Sequence, residues 1–254
     1  MVHFPALPGS PLYDEKKGLD FVYQSIEKDL MNLQKAGVDA VMFGNENDRP
    51  YELKVNSATL STMSYMIGKL SEKITVPFGV NVLWDPKSTI ALAVSTNAQF
   101  VREIFTGTYA SDMGIWSPNA GEAMRYRNSL GRKDIQMYFN ISAEFAYSID
   151  RRSISERAES AVFSSIPDAI LVSGQITGQS AKLEEIKEVS KIIPKIPVLA
   201  NTGVNLDNVE EILKVTDGVI IGSSLKINGD TWKNVDLSRA KKFMTKVKLL
   251  RKNA

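Results

Sequence analysis

Short apolar runs alternate with longer segments of helical periodicity along the whole chain. The runs near residues 2–4, 39–44, 77–83, 99–105, 135–141, 168–172, 197–200 and 218–221 have the length and composition of strands. Apolar positions recurring every three to four residues predict helices near 18–36, 56–73, 86–97, 119–130, 153–165, 180–192, 205–214 and 236–251. Eight strands and eight helices in strict alternation predict an α/β fold with a parallel sheet. Closure as a (β/α)8 TIM barrel is favoured over an open doubly wound sheet. The 254 residues match the roughly 250 of one such barrel. No linker, low-complexity stretch or charge block divides them, so residues 1–254 are expected to form one domain.

The predicted fifth strand shows which face is which. Ile135, Met137, Phe139 and Ile141 alternate with Gln136, Tyr138, Asn140 and Ser142. A period of two puts the sets on opposite faces, the apolar set outward against the helices and the polar set inward. Inward polarity near a strand's C-terminal end suggests ligand contact, or a hydrogen-bonded network with water. The predicted seventh and eighth strands each run into glycine and small polar residues, at Asn201-Thr202-Gly203 and at Ile221-Gly222-Ser223-Ser224. In a β/α barrel these two turns often bind phosphate, because glycine admits the anion and backbone N–H groups near a helix start supply donors. Gly203, Gly222 and Ser223 are therefore expected phosphate contacts. The sixth strand ends at Ser173-Gly174, followed by Thr177-Gly178, on the same rim. Gly174 is expected to join the phosphate cradle and Ser173 to touch substrate.

Proton-transfer candidates fall on other strand ends. His3 is the only histidine and sits in the short first strand, before Pro5, Pro8 and Pro11 stiffen the loop. Asn45-Glu46-Asn47-Asp48 closes the second strand, with Glu46 placed as a general base and Asn45 beside the substrate. Asn81 is a polar residue inside an apolar run and needs partners. Like Asn140, it is expected to orient hydroxyls or a carbonyl. Asp85-Pro86 reads as a helix cap followed by Pro in the first turn. In Arg102-Glu103 one of two adjacent charges must face the barrel and needs a partner. The polar segment 106–112 is read as a loop over the site, with Asp112 as an acid, base or metal ligand, and Glu144 is a further acid/base candidate. Glu46, Asp48, Asp112 and Glu144 could serve a divalent metal such as Mg2+, although no spacing signals it. Lys226 is read as an anion contact or a surface residue.

Composition removes several chemistries. The absence of cysteine excludes disulfides, a thiolate nucleophile and cysteine-ligated metals, and one histidine cannot build a multi-histidine zinc site. No lysine lies inside a predicted strand, which disfavours a Schiff base there. A net charge of +2 gives no strong field for nucleic acid or anionic membranes. The basic C-terminal segment is patterned as an ordinary amphipathic outer helix. No apolar run is long enough to span a membrane, and Met1-Val2-His3-Phe4-Pro5 lacks signal-peptide character, so the cytoplasm is the expected location.

Several segments in combination resemble the BtpA/SgcQ family of barrel proteins across nearly the whole chain. They are His3-Phe4-Pro5-Ala6-Leu7-Pro8-Gly9-Ser10-Pro11, Gly37-Val38-Asp39-Ala40-Val41-Met42-Phe43, Gly79-Val80-Asn81-Val82-Leu83-Trp84-Asp85-Pro86, Arg102-Glu103-Ile104-Phe105-Thr106-Gly107, Tyr109-Ala110-Ser111-Asp112, Phe139-Asn140-Ile141, Val172-Ser173-Gly174 and Leu199-Ala200-Asn201-Thr202-Gly203-Val204. Asn45-Glu46 and Trp84-Asp85-Pro86 look closer to the SgcQ-like branch, and the turn at Ile221–Lys226 closer to the BtpA branch. The resemblance implies a barrel of the ribulose-phosphate-binding kind and, for the SgcQ-like branch, a setting beside sugar uptake. BtpA itself is linked to photosystem I assembly. This chain departs from that branch at Asn140–Phe145, where BtpA carries a histidine/lysine-bearing segment.

Residues and resemblance together lead to the expectation of an enzyme acting on a small phosphorylated, sugar-derived metabolite by acid/base chemistry, as an isomerase, epimerase or lyase. The other readings are a non-catalytic assembly or scaffold factor and a sensor without turnover. A homo-oligomer is compatible with all of them.

Overall fold

The computed structural model describes every residue except Gln175, Thr177, Asn253 and Ala254. Thr177, from the predicted turn after the sixth strand, therefore lies outside the described residues. The chain opens with β1 (Val2–His3), α1 (Gly18–Ala36), β2 (Val41–Gly44), α2 (Ser57–Leu70), β3 (Phe78–Asn81), α3 (Pro86–Thr96) and β4 (Phe100–Glu103). There follow β5 (Tyr109–Ser111), β6 (Gly114–Trp116), α4 (Ala120–Ser129), β7 (Gln136–Asn140), β8 (Ala146–Ser148) and α5 (Ile154–Ser165). The last third holds β9 (Ala169–Ser173), α6 (Leu183–Ile192), β10 (Val198–Asn201), α7 (Val209–Leu213), β11 (Gly218–Ile220) and α8 (Leu237–Lys252).

Eight strands form one curled parallel sheet in the order β1-β2-β3-β4-β7-β9-β10-β11, the α/β architecture of a (β/α)8 barrel. The ends of the sheet meet where the Met1 ammonium donates to the Ile221 carbonyl at 2.8 Å. Register aligns the C-terminal ends, so that His3 lies level with Gly44, Gly44 with Asn81, and Ser173 with Asn201. Val80, Val101, Met137, Phe139, Val172 and Ala200 point outward into the main apolar cluster with the helices. The strand period then turns Phe100, Tyr138 and Leu199 inward, and one step toward the C-terminal ends Arg102, Asn140 and Asn201. Phe100 and Tyr138 stack at 5.0 Å, and Gly79 leaves room for the Phe100 ring. The barrel is thus apolar below and polar above, which is why its C-terminal end can hold a polar ligand.

Caps start the helices where the sequence places them. Asp85 accepts from Ser88 N at 3.0 Å with Pro86 in the first turn of α3, as expected. Asn119 caps α4, and Ser153 forms a capping box with Glu156 on α5. The predicted helix at 205–214 is shorter than its pattern. Asn205 Oδ1 accepts from Asp207 N and Asn208 N, Asn208 Oδ1 accepts from Asn205 N, and these bonds hold a turn until α7 begins at Val209. Two short 3-10 turns separate β11 from α8.

The segment read as a polar loop is instead part of a second sheet. β5 pairs antiparallel with both β6 and β8 in the order β6-β5-β8. Tyr109 and Trp116 turn down onto Trp84, Ile104 and Ala143 as a second apolar cluster. Ala110, Ile115 and Tyr147 stand level on the outer face, with Ile115 75% and Tyr147 76% exposed. This small sheet covers one side of the barrel mouth.

Candidate active site

A cavity of about 520 Å3 opens at the C-terminal ends of the barrel strands. Its floor is a buried charged network. Arg102, 7% exposed, donates Nη1 to Asn81 Oδ1 and Nη2 to Glu144 Oε1, each at 3.2 Å. Asn81 Nδ2 donates to Glu103 Oε2 at 2.6 Å and to the Arg102 carbonyl at 2.8 Å. Glu103 Oε1 accepts from Ile104 N at 2.8 Å. The charge in the Arg102-Glu103 pair thus finds the partner that burial demands. Burial pushes the Glu103 carboxyl up to about 8, against the opposing pull of the Ile104 N–H, Arg102 and Asn81. Near neutral pH it is an acid holding its proton.

That shift has a measurable consequence. The folded chain binds the Glu103 proton more tightly than the unfolded chain does. The associated stability is full below about pH 4.5 and is lost as pH rises through about 8. At about 1.4 kcal/mol per pH unit, the loss is at most on the order of 5 kcal/mol. Glu103→Gln cannot ionise, but its single oxygen cannot accept from both Ile104 N and Asn81. The variant is expected to melt below the parent at pH 5 and to close or reverse the gap by pH 9. Melting curves across that range check it; a pH-independent gap would contradict the buried neutral acid.

Beside this floor stand His3 and Glu46, with Nε2 3.5 Å from Oε1. Burial, then the Lys226 charge, hold His3 well below its ordinary range, while burial raises the Glu46 carboxyl. Glu46 Oε2 and His3 Nδ1 make no hydrogen bond. Tyr51 Oη donates to the Glu46 carbonyl at 2.9 Å and holds that loop. Lys226 corrects its expected placement: it is 2% exposed and lies 3.6 Å from buried Asp29 of α1. It acts on the site through its field and not as a surface contact.

The opposite rim consists of the two glycine turns. Thr202 and Gly203 are consecutive left-handed residues, φ 72° and 65°, and both line the cavity with Asn205, Gly222 and Ser223. Because α7 starts only at Val209, the donors here belong to turn backbone and not to a helix start. Arg239, in the first turn of α8, also lines the cavity, and its Nε donates to the Ser224 carbonyl at 3.0 Å. Sequence reasoning counted Arg239 among outer-helix charges; its position in the first turn, just beyond the eighth strand's turn, was the available signal.

The third wall is aromatic. Tyr51 lies 6.4 Å from Trp84 and 5.9 Å from Phe145, and all three line the cavity. Trp116 packs edge-on behind Trp84 at 5.2 Å. Trp84 and Phe145 both have left-handed backbones, φ 68° and 53°. Such a conformation costs a non-glycine residue roughly 1–2 kcal/mol. Trp84 is 3% exposed, yet its Nε1–H has no hydrogen-bond partner. None of these three aromatics was singled out from the sequence for the site.

The cavity brings together His3, Glu46, Asn140, Glu144, Gly203, Gly222 and Ser223 from the sequence expectations. Asn81 lies just beneath, bonded to Arg102 and Glu103. Three residues serve the frame instead. Asn45 Oδ1 accepts from Leu83 N at 2.7 Å, Ser173 Oγ accepts from Asn201 Nδ2 at 2.6 Å, and Gly174 N donates to Thr202 Oγ1 at 2.9 Å. Asp112 is a correction: pairing of β5 with β6 carries it to an exposed hairpin turn, outside the cavity lining. Asp48 is engaged by Leu7 N and Thr59 Oγ1. The proposed carboxylate set is therefore dispersed, and among the described residues no group of three His, Cys, Asp or Glu could hold a metal ion. Among the same residues no helix is long and apolar enough to cross a membrane.

A family model described as the BtpA family matches residues 1–249. The sgc region protein SgcQ of Escherichia coli K12 is 44% identical over 252 residues, covering 99% of this chain and 94% of its own length. The photosystem I biogenesis protein BtpA of Synechocystis is 28% identical over 247 residues, covering 96% and 85%. Among solved structures, phosphoribosyl anthranilate isomerase from Thermus thermophilus superposes with a TM-score of 0.58 at 12% identity, over 89% of this chain and 95% of that one. At that identity the likeness is one of fold.

Proposed function

The chain belongs to the BtpA family, and from the arrangement of its barrel mouth we propose that it is an enzyme that moves a proton on a small phosphorylated, sugar-derived metabolite. The observation that carries this reading is the His3–Glu46 pair, which lines the same cavity as the turns at Gly203 and at Gly222–Ser223. Phosphate rests on those turns, with Arg239 at the edge supplying charge that backbone donors lack. Glu46 takes a proton from a carbon next to a carbonyl. The C–H electron pair moves to the carbonyl oxygen, and Glu103, protonated near neutral pH, supplies a proton there. Neutral His3 stabilises and relays the proton that Glu46 holds. Returning the proton to the former carbonyl carbon, while the hydroxyl of the first carbon gives its proton to Glu103 and becomes the new carbonyl, gives an isomerase; returning it to the opposite face of the first carbon, while the enol proton goes back to Glu103, gives an epimerase. A role like that of the photosystem I biogenesis protein BtpA has less support here, because the cavity is built of proton-transfer groups.

Sugar phosphates should raise the melting temperature by mass action. At one hundred times Kd the gain is about 2.7 kcal/mol, or roughly 5–10 °C for a chain of this size. Glu46→Gln should keep the shift and lose at least about 100-fold of any isomerisation, read by proton–deuterium exchange into the bound sugar phosphate. If neither inorganic phosphate nor any sugar phosphate moves the melting curve, the reading fails.

A further inference from the structure

The aromatic wall is more than a support for the small sheet above it. A side chain that only held β5, β6 and β8 down would need no donor and no strained backbone. Trp84 has both: a left-handed φ of 68° and a buried Nε1–H without a partner, in a residue that lines the cavity. Phe145, also left-handed, and Tyr51 complete the same wall. Strain of this kind survives where the surroundings hold a side chain in place for a purpose. The floor, by contrast, is rich in polar groups, among them Glu46, Arg102, Asn140 and Glu144.

A ligand matching all three walls has an anionic end, a hydroxyl-bearing edge, and an apolar face with an acceptor oxygen at its margin. Resting on the reading of the site as a phosphosugar site, we propose that the substrate enters as a closed sugar ring, which opens in the site to its carbonyl form, the anomeric hydroxyl proton passing to the ring oxygen as the ring C–O bond breaks, before Glu46 acts. One C–H face of the ring lies on half-buried Tyr51 and Phe145, beside the buried Trp84, and a ring or hydroxyl oxygen accepts the Trp84 Nε1–H. An open-chain polyol phosphate carries the same phosphate and one more free hydroxyl, but presents no flat face to the wall. The cavity of about 520 Å3 is within the usual range for a small-molecule site and can take a ring with its phosphate. Ring closure is then the property the aromatic wall selects, and the floor chooses among hydroxyl patterns.

The test compares hexose 6-phosphates and ribose 5-phosphate with their reduced alditol phosphates, using calorimetry and the indole N–H signals of the 15N-labelled protein. Trp84, Trp116 and Trp232 give three such signals. The signal lost in Trp84→Phe identifies Trp84, and the wild-type chain then reports without relying on the variant's stability. The expected result is that at least one ring-forming phosphate binds about 10-fold or more tighter than its alditol and moves the Trp84 indole proton downfield. Trp84→Phe, which keeps an aromatic face and loses the donor, should weaken that sugar about 3- to 10-fold and leave the alditol unchanged. Equal binding of rings and alditols, or an unmoved Trp84 signal in the presence of bound ring, overturns the ring proposal and leaves the phosphosugar site standing. If no probe binds, inorganic phosphate included, the phosphosugar reading falls and the ring proposal falls with it.

Discussion

Replacing Gly203 by alanine is expected to destabilise the protein by at least about 3 kcal/mol and to abolish phosphate binding. An added Cβ would lie 2.0 Å from Ser180 N, 2.3 Å from the Gln179 carbonyl carbon and 2.4 Å from Ser180 Cα. All three are backbone atoms, so no side-chain rotation relieves the contact. The position also holds φ at 65°, which alanine adopts only at a cost. The two effects are separable. Gly131 has φ 74° with nothing within 4 Å of an added Cβ, so Gly131→Ala carries only the conformational part, about 1 kcal/mol. For a chain of this size the Gly203 variant should melt roughly 6–12 °C lower, and the Gly131 variant about 2–4 °C lower. The segment at Gln179–Ser180 is also tied to this turn, because Ser180 Oγ donates to the Gly203 carbonyl and Thr202 Oγ1 donates to the Gln179 carbonyl. Moving it to admit a methyl group moves the cradle. Equal melting losses in the two variants would mean that the segment yields freely, and the argument for a rigid cradle would be lost.

What the sequence made legible follows from what is periodic. The parallel strands are wrapped by helices, so their outward residues, such as Val80, Val101 and Phe139, are apolar apart from Glu103 at the end of β4, and mark the strands clearly. The inward residues break that apolarity mainly near the C-terminal ends, with Gln136 at the start of β7 an exception, which is how Asn81, Arg102 and Asn140 stand out. His3 and Glu46 were found because strand ends on one rim converge in a barrel. The signals that failed were local or distant. β5, β6 and β8 are three residues each, too short for periodicity to separate them from loop, and Asp112 was misplaced with them. Lys226 depends on Asp29 in the first helix, a contact that no spacing encodes. The wall at Trp84 and Phe145 depends on a left-handed backbone that sequence disfavours at aromatic residues, so propensity argued against the very feature that shapes the site.

Replacing Arg102 by methionine should cost about 3–5 kcal/mol, the usual result of removing one partner from a buried ion pair. The methionine fills much of the volume, so the loss is electrostatic and not a cavity effect. Asn81 Oδ1 loses its donor, and Glu144 is left in a site 8% exposed without the cation 3.2 Å away. The Arg102 charge also lowers the Glu103 and Glu46 carboxyls, so its removal drives both further up. The Glu103 and Glu46 carboxyls then bind protons more tightly in the folded state than in the unfolded one. Stability of the variant should therefore recover as pH falls and decline as pH rises, and its deficit should be larger at pH 8 than at pH 5. Lysine is a poor substitute, because a single ammonium cannot span Asn81 and Glu144 as the guanidinium fork does. Adding Glu144→Gln to Arg102→Met removes the carboxylate that faced the lost cation and should restore about 1–3 kcal/mol. Urea unfolding of the parent, both single variants and the double variant at the two pH values measures each term. A double variant no more stable than Arg102→Met would show that the two charges are not coupled. Restoration would show that the floor of the cavity is held by mutual compensation, with Arg102 as the cation that lets several carboxyls share one buried space while Glu103 keeps its proton.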